Sequence, residues 1–388
     1  MEFAKRMDNF KPGVFDVLNR LRRERIAEGK KVYDFWIGTP DFPPAPHVME
    51  AFCESGKHPE SYRYSLGETP ELMDAVIAWY KRRYGVDLTP DEITAVNGSQ
   101  EAAAHIGWPL LDPGDVVLVP NPGYPIFSMG PLLCGGAIEE FPLYEKNNFV
   151  LDFNDIPEET AKRAKMIIVS YPANPVAAAA DRKFYEDLVA FAKKYDLIVL
   201  HDNAYSELVF DGEPGMSFLE IEGAKDVGFE FNSLSKSYNL TGLRISFAVG
   251  NKDIIQKFRT VRSQIDYGVP HPVQAAAVAA LNGPQDCLDE LRAAYKARRD
   301  ALCQGLASIG WPCKSDTASM FVWVKLPPGY TDSEAFCQEL LMKSGVMCVP
   351  GVAFGSLGEG FVRFALTASV ELIEESIAAI RDCGILNK

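Results

Sequence analysis

Apolar residues along this chain keep two rhythms: short continuous runs, and longer stretches in which they return every three or four positions. Val14, Val17, Leu18 and Leu21 follow the second rhythm among Arg and Glu, which predicts a helix over 11–30. Residues 32–44 begin as an apolar strand and are then broken by Gly38 and three prolines, so a rigid extended segment is expected there. Helices are expected from residue 45 to 53 and, with proline at its start, over 70–81. Strands are predicted at 92–96, 115–119, 166–170, 197–201, 228–231 and 245–250, with helices at 99–111, 124–133 and 182–195. Continuous apolar strands separated by helices imply a largely parallel sheet covered on both faces, an α/β fold.

Beyond about residue 282 the texture changes. One long charged helix is predicted over 286–309, an alternating and therefore half-exposed strand over 321–325, a helix over 333–344, a strand over 361–366 and a closing helix over 370–383. These make a smaller α+β unit. Residues 1–45 have no partner of their own and are expected to pack on it. The expected division is a large domain over 46–282 and a small domain built from both ends, 1–45 and 283–388.

Charge narrows the class of partner. With 53 acidic against 39 basic residues the net charge is −14, which argues against a nucleic-acid or anionic membrane-surface partner. The hydrophobic share of 47% is enough for a large core. Eight cysteines show no C-x-x-C spacing and read as small core hydrophobes in a reducing compartment, with no metal site expected. The first residues lack the apolar core of a signal peptide, and no run reaches transmembrane length. A soluble, cytoplasmic protein is the expectation.

The chemistry collects at strand ends. In an open parallel sheet, ligands bind outside the carboxyl ends of the strands. Here those ends deliver Gly98-Ser99-Gln100, then Tyr124 after Asn121-Pro-Gly, then Asn174, then Asp202 with Tyr205, then Ser233 with Lys236. Lys236 lies between two apolar runs, where a lysine is costly unless paired or chemically used. Lysine amines form Schiff bases with carbonyl cofactors, of which pyridoxal 5′-phosphate is the usual one. Each group then has a task. Gly98, Ser99 and Gln100 open a helix whose free N–H groups suit a phosphate, and Ser233 and Arg244 add a hydroxyl and a planar cation. Asp202 suits the pyridine nitrogen, Asn174 and Tyr205 the phenolic oxygen, and Tyr124 the ring face. Singly, each has a plainer reading: Ser99 and Asp202 as helix caps, Asn121-Pro-Gly and Asn174-Pro as turns, Tyr205 as packing, His105 and His201 as core histidines.

Together these motifs resemble the fold-type I pyridoxal-phosphate enzymes, and among them the class I/II aminotransferases of the aspartate and LL-diaminopimelate kind. Ser233-Leu-Ser-Lys236 with Gly242-Leu-Arg244 resembles the cofactor-lysine signature, and Asp202-x-x-Tyr205 the aspartate and tyrosine that hold the ring. Val362-Arg363-Phe resembles the strand whose arginine clamps the substrate α-carboxylate, and Gly38-Thr-Pro-Asp the segment whose backbone N–H touches it. Asn174 would serve the same carboxylate. Tyr64 resembles a tyrosine given to the neighbouring subunit's phosphate, although Tyr62 competes for that place. The resemblance implies a mostly parallel seven-stranded mixed sheet in the large domain, a homodimer with shared active sites, and a ping-pong transfer of an amino group from an L-amino acid to a 2-oxo acid through Lys236. Lys236, Asp202 and Tyr205 would carry the chemistry.

Two departures stand out. The family's Asn-Pro-Thr-Gly turn reads Asn174-Pro-Val-Ala177, so a local loop change is expected. An arginine for a side-chain carboxylate is missing from Ser263-Gln-Ile-Asp-Tyr267, with Arg262 and Arg63 as possible substitutes. A C–S β-lyase on the same cofactor is the alternative reaction; a cofactor-binding regulatory module is a third reading.

Overall fold

The computed structural model describes residues 1–10, 14–212, 215–315 and 317–387. In chain order the strands among these residues are β1 (Tyr33–Asp34), β2 (Ile93–Val96), β3 (Val116–Asn121), β4 (Ala137–Pro142), β5 (Ala164–Val169), β6 (Ile198–Asn203), β7 (Gly228–Ser233), β8 (Ser246–Gly250), β9 (Phe321–Lys325), β10 (Val346–Met347), β11 (Val349–Pro350) and β12 (Phe361–Ala365).

Seven of them form one sheet in the order β2-β8-β7-β6-β5-β3-β4. β8 runs antiparallel to both its neighbours, and every other pairing is parallel. β2 and β7 therefore point the same way, and six strands bring their carboxyl ends to one edge. β7 is buried along its whole length because helices cover both faces of the sheet. β4 has no counterpart in the hydrophobic pattern. It is one of the two edge strands, carries Glu139 and Glu140, and ends at a proline, features that suit an edge.

The helices start and stop where local chemistry dictates. The helix Pro70–Tyr84 begins after Thr69, whose hydroxyl accepts from the Leu72 N–H, and ends at Gly85 with φ 69°. The helix Arg182–Tyr195 is capped by Asp181, which accepts from the Phe184 N–H at 2.9 Å. The single helix expected over 99–111 is two, Ser99–His105 and Gly107–Leu110. Pro109 has no N–H for the His105 carbonyl and its ring opposes that group, so the chain breaks at Ile106. The helix expected over 11–30 is described over Val14–Ala27; residues 11–13 lie outside the described residues.

A second sheet, β11-β12-β9, is antiparallel, and β1 pairs in parallel with β10. β9 is not half-exposed as its alternation suggested: Phe321, Val322, Trp323 and Val324 are all buried. Both of its faces are covered. Trp323 stacks on Phe361 at 5.3 Å, while on the other side of β12 Phe364 meets Trp311 and Phe35. Among the described residues, no helix is long and apolar enough to cross a membrane, and no cluster of three His, Cys, Asp or Glu suits a metal ion.

The centre of the large sheet is locked by a buried carboxylate. Glu230 on β7 accepts from Tyr80 Oη at 2.7 Å, Ser217 Oγ at 2.8 Å and the Phe218 N–H at 3.1 Å, and meets His201 Nδ1 of β6 at 3.1 Å. Both side chains are fully buried. A buried charge costs little only while its partners are in place. Replacing Glu230 by Ala leaves three donors unpaired, and equilibrium denaturation is expected to show a loss of about 3–5 kcal/mol. A change below about 1 kcal/mol would mean that the network contributes nothing net to stability.

Candidate active site

The aligned strand ends open into a cavity of about 650 Å³. Ser99, Gln100, Tyr124, Asn174, Asp202, Tyr205, Ser233, Lys236 and Arg244 line it, together with Gly38 and Arg363 from the region of the smaller sheet. The convergence expected from the strand ends is thus present in one chain. Two expected residues are not on the wall. Gly98 stands just behind it, and Tyr64 lies outside it, 77% exposed and packed against Tyr267 at 5.0 Å.

Lys236 follows β7 in a single turn, Leu234–Ser237, capped by Ser233, whose side chain accepts from the Ser235 N–H. Its Nζ donates to the Gly38 carbonyl at 2.5 Å. Burial first, then the charges of Arg363 and Arg244, push its amine down to about 8, against the pull of Asp202. Near neutral pH roughly a tenth of that amine is therefore neutral and nucleophilic, a few hundredfold more than for an ordinary lysine.

Asp202 is the penultimate residue of β6 and is buried. Its Oδ1 has no hydrogen-bond partner among the described residues. Burial raises its carboxyl to about 6, with His201 and Lys236 pulling the other way. An orphaned buried carboxylate oxygen facing a cavity calls for a ligand donor, and a protonated ring nitrogen has that chemistry. Tyr205 and Tyr124 are both shifted upward by burial and by the Asp202 charge, so both phenols stay protonated donors. Tyr124 donates to Gln100 Oε1 at 2.9 Å, which fixes its ring.

An anion end lies beside Arg244. Ser233 Oγ accepts from Ser246 Oγ at 2.8 Å and from the Ser235 N–H at 3.2 Å, which leaves its own proton to donate. Arg244 sits at φ 54° and donates from Nη1 to the Thr241 carbonyl. Gly98 has φ 91°, and a Cβ there would fall 2.2 Å from Arg244 Nη2. Only glycine lets the guanidinium lie over the start of the helix Ser99–His105. These groups fit a phosphate.

Arg363 occupies the middle of β12. Nη1 donates to Asn174 Oδ1 at 2.8 Å and Nη2 to the Trp36 carbonyl at 2.7 Å. With Oδ1 so engaged, the Asn174 amide keeps its NH₂ donors for a ligand. The Asn174-Pro-Val-Ala177 departure is absorbed at one residue: Ala177 takes φ 55°, a conformation that suits glycine, and its N–H reaches the Ala173 carbonyl at 3.0 Å.

Other residues land elsewhere than expected, or were not foreseen. Arg262 cannot serve a substrate carboxylate, because it is buried, donates to the Ala95 carbonyl and pairs with Asp266 at 3.0 Å. Arg63 is exposed, outside the cavity. His105 pairs with Glu101 one helical turn away, and His201 belongs to the Glu230 network. Trp36, Phe321 and Phe354 line the cavity without having been foreseen. Trp36 neighbours the Gly38 motif and was within reach of it. Phe321 depends on strand register and Phe354 on a short turn, Gly351–Phe354, neither of which leaves a periodic signal.

The family model for aminotransferase class I and II matches residues 30–380. An LL-diaminopimelate aminotransferase from Dehalococcoides mccartyi is 43% identical over 382 residues, covering 98% of each chain, and one from Moorella thermoacetica is 43% identical over 383 residues with the same coverage. Among solved structures, substrate-bound BacF from Bacillus subtilis superposes with a TM-score of 0.95 at 34% identity, covering 98% of each chain. A probable N-succinyldiaminopimelate aminotransferase from Thermus thermophilus gives 0.91 at 32% identity, over 96% of this chain and 100% of that one.

The orphaned carboxylate makes a measurable statement about stability. Below about pH 4 Asp202 is protonated whether folded or unfolded and costs nothing. As pH rises from about 4 to 6 the unfolded chain gives up this proton first, so the folded state loses stability; above about 6 the penalty is complete. Cofactor-free Asp202→Asn is therefore expected to be more stable than the parent by about 1–3 kcal/mol near neutral pH, the gap closing towards pH 4. Denaturant midpoints across that range test it, and a gap that does not depend on pH would refute it.

Proposed function

The chain belongs to the class I and II aminotransferases, and we propose that it is a pyridoxal-phosphate enzyme that takes its amino group from LL-2,6-diaminopimelate and passes it to a 2-oxo acid in two half-reactions. One observation carries the catalytic reading: the lowered amine of Lys236, the unpartnered Oδ1 of Asp202 and the Arg363 guanidinium face one cavity. The names of the similar aminotransferases support the choice of donor.

Bound in this cavity, the cofactor would supply a carbonyl that takes up the amino group and a pyridine ring that accepts the electron pair left on the α-carbon. Ser233, Arg244 and the N–H groups after Gly98 would hold its phosphate. Asp202 would accept from the ring nitrogen and keep it protonated. Tyr205 and the Asn174 amide would donate to the phenolic oxygen, and Tyr124 would cover the ring face. Arg363 and the Gly38 N–H orient the donor's carboxylate. Lys236 would carry the cofactor, and its amine, when free, would hold and move the proton of the donor's α-carbon. Its lowered amine suits a base at neutral pH.

The quaternary reading is part of the proposal. Tyr64 would reach the phosphate of a second copy, giving a homodimer with shared sites; its exposure, with that of Leu66 and Tyr267, supports this. The large unit would be 46–282 and the small one 1–45 with 283–388, supported by the β1–β10 pairing.

The test is a single-turnover screen of LL-diaminopimelate, glutamate, aspartate, alanine and aromatic donors, followed by cofactor absorbance with 2-oxoglutarate and pyruvate as acceptors. LL-diaminopimelate is expected to react fastest. Lys236→Ala is expected to keep the cofactor bound and to slow the half-reaction by a hundredfold or more. A Lys236→Ala enzyme that turns over at near-parental rate would overturn the assignment of the lysine; another donor reacting fastest would overturn the substrate alone.

A further inference from the structure

Arg363 is buried, yet among the described residues no carboxylate lies within ion-pair distance of it. Its two hydrogen-bond acceptors, Asn174 Oδ1 and the Trp36 carbonyl, are neutral, and its Nε has no partner among the described residues. A buried guanidinium in this condition should be expensive. What it does have is two aromatic rings. Its central carbon lies over Phe321 at 4.1 Å and over Phe354 at 4.7 Å from the ring centroids.

The register explains how the rings arrive. Arg363 stands opposite Trp323 and Ala365 opposite Phe321, so Phe321 and Arg363 are diagonal neighbours on one face of the β9–β12 pair. Phe321 also fills the space beside Gly38, where a Cβ would fall 2.5 Å from the ring. Phe354 is held in turn by Trp323 at 6.0 Å.

We infer that Phe321 and Phe354 are the positioning residues of the carboxylate clamp, acting as a counter-charge that does not occupy the guanidinium's in-plane donors. The inference rests on the reading of Arg363 as that clamp. An aspartate in their place would neutralise the arginine and compete with the substrate for its N–H groups. A ring face attracts the cation through its quadrupole and excludes water, while Nη1 and Nη2, each engaged once, keep a second N–H for an incoming carboxylate. The rings thus let the enzyme keep a dry, unpaired cation ready for one specific anion.

The experiment uses the holoenzyme and two readouts: the KM of the amino donor, and the inhibition constant of succinate, an unreactive carboxylate. Phe354→Leu and Phe321→Leu are expected to raise both by roughly three- to thirtyfold, well beyond any change in kcat, with Phe354→Tyr restoring the parental values. Phe354→Met keeps the volume without the ring, and is expected to behave like Phe354→Leu; circular dichroism and bound-cofactor absorbance verify that each variant is folded. Arg363→Lys separates the two layers of the argument. If it weakens succinate while the folded phenylalanine variants do not, the aromatic inference is overturned and the clamp stands. If Arg363→Lys leaves succinate binding unchanged, the clamp reading falls and the inference with it.

Discussion

Charge held dry without a resident partner is the constraint on which this molecule turns. Asp202, Lys236 and Arg363 each lose solvation to one cavity, and none is matched by an opposite charge in hydrogen-bonded contact. Each therefore departs from its ordinary proton affinity mainly because of burial: the acid upward to about 6, the amine downward to about 8, the guanidinium downward to about 10. Such a site stores free energy that the rest of the fold must offset. A ligand that brings a proton donor, a carbonyl and a carboxylate recovers it, which is why strain of this kind marks function.

The two sheets divide the labour. The larger one supplies direction: six strands pointing one way put Asn174, Asp202 and Lys236 on adjacent ends, and the reversed strand β8 starts at that same edge, just after Arg244. The smaller one supplies Arg363 and its aromatic cover. Between them runs the segment around Gly38. Its Asp41 pairs with Arg298 of the helix Asp286–Ser308 at 2.6 Å, and its Gly38 carbonyl takes the Lys236 amine. Phe321 keeps a side chain out of position 38, as Arg244 keeps one out of position 98.

Much of this was legible in the amino-acid order. Parallel strands show as unbroken apolar runs, and a polar residue placed after such a run announces itself; Lys236, Asp202 and Asn174 line the cavity where that reading put them, whereas Arg363, in the middle of β12, was reached only through the likeness of its strand to the family's. Edge strand β4 escaped because Glu139 and Glu140 give it the look of a loop. The exposure of β9 was misjudged because alternation tells which residues share a face, but not what covers the other face. Arg262 looked like a spare cation, and only its ties to the Ala95 carbonyl and Asp266 remove it. Phe321 and Phe354 were out of reach for a related reason. Their importance lies in a strand register and in an arginine's missing counter-ion, and a register is a relation between distant segments.

The Glu230–His201 lock also sets an order of motion. It ties β6 to β7, and through Tyr80 and Ser217 to the helix Pro70–Tyr84 and the turn at Phe218–Glu220. Backbone amides in such a centre exchange with solvent only when the whole unit opens, whereas loops held by a few contacts breathe far more often. Asp202 and the turn bearing Lys236 are attached to the slow part. The Gly38 segment hangs on fewer ties: the Asp41–Arg298 pair and the bonds that its Trp36, Gly38 and Pro43 carbonyls accept. A fluctuation confined to that cover would let substrate pass without the catalytic floor losing its geometry.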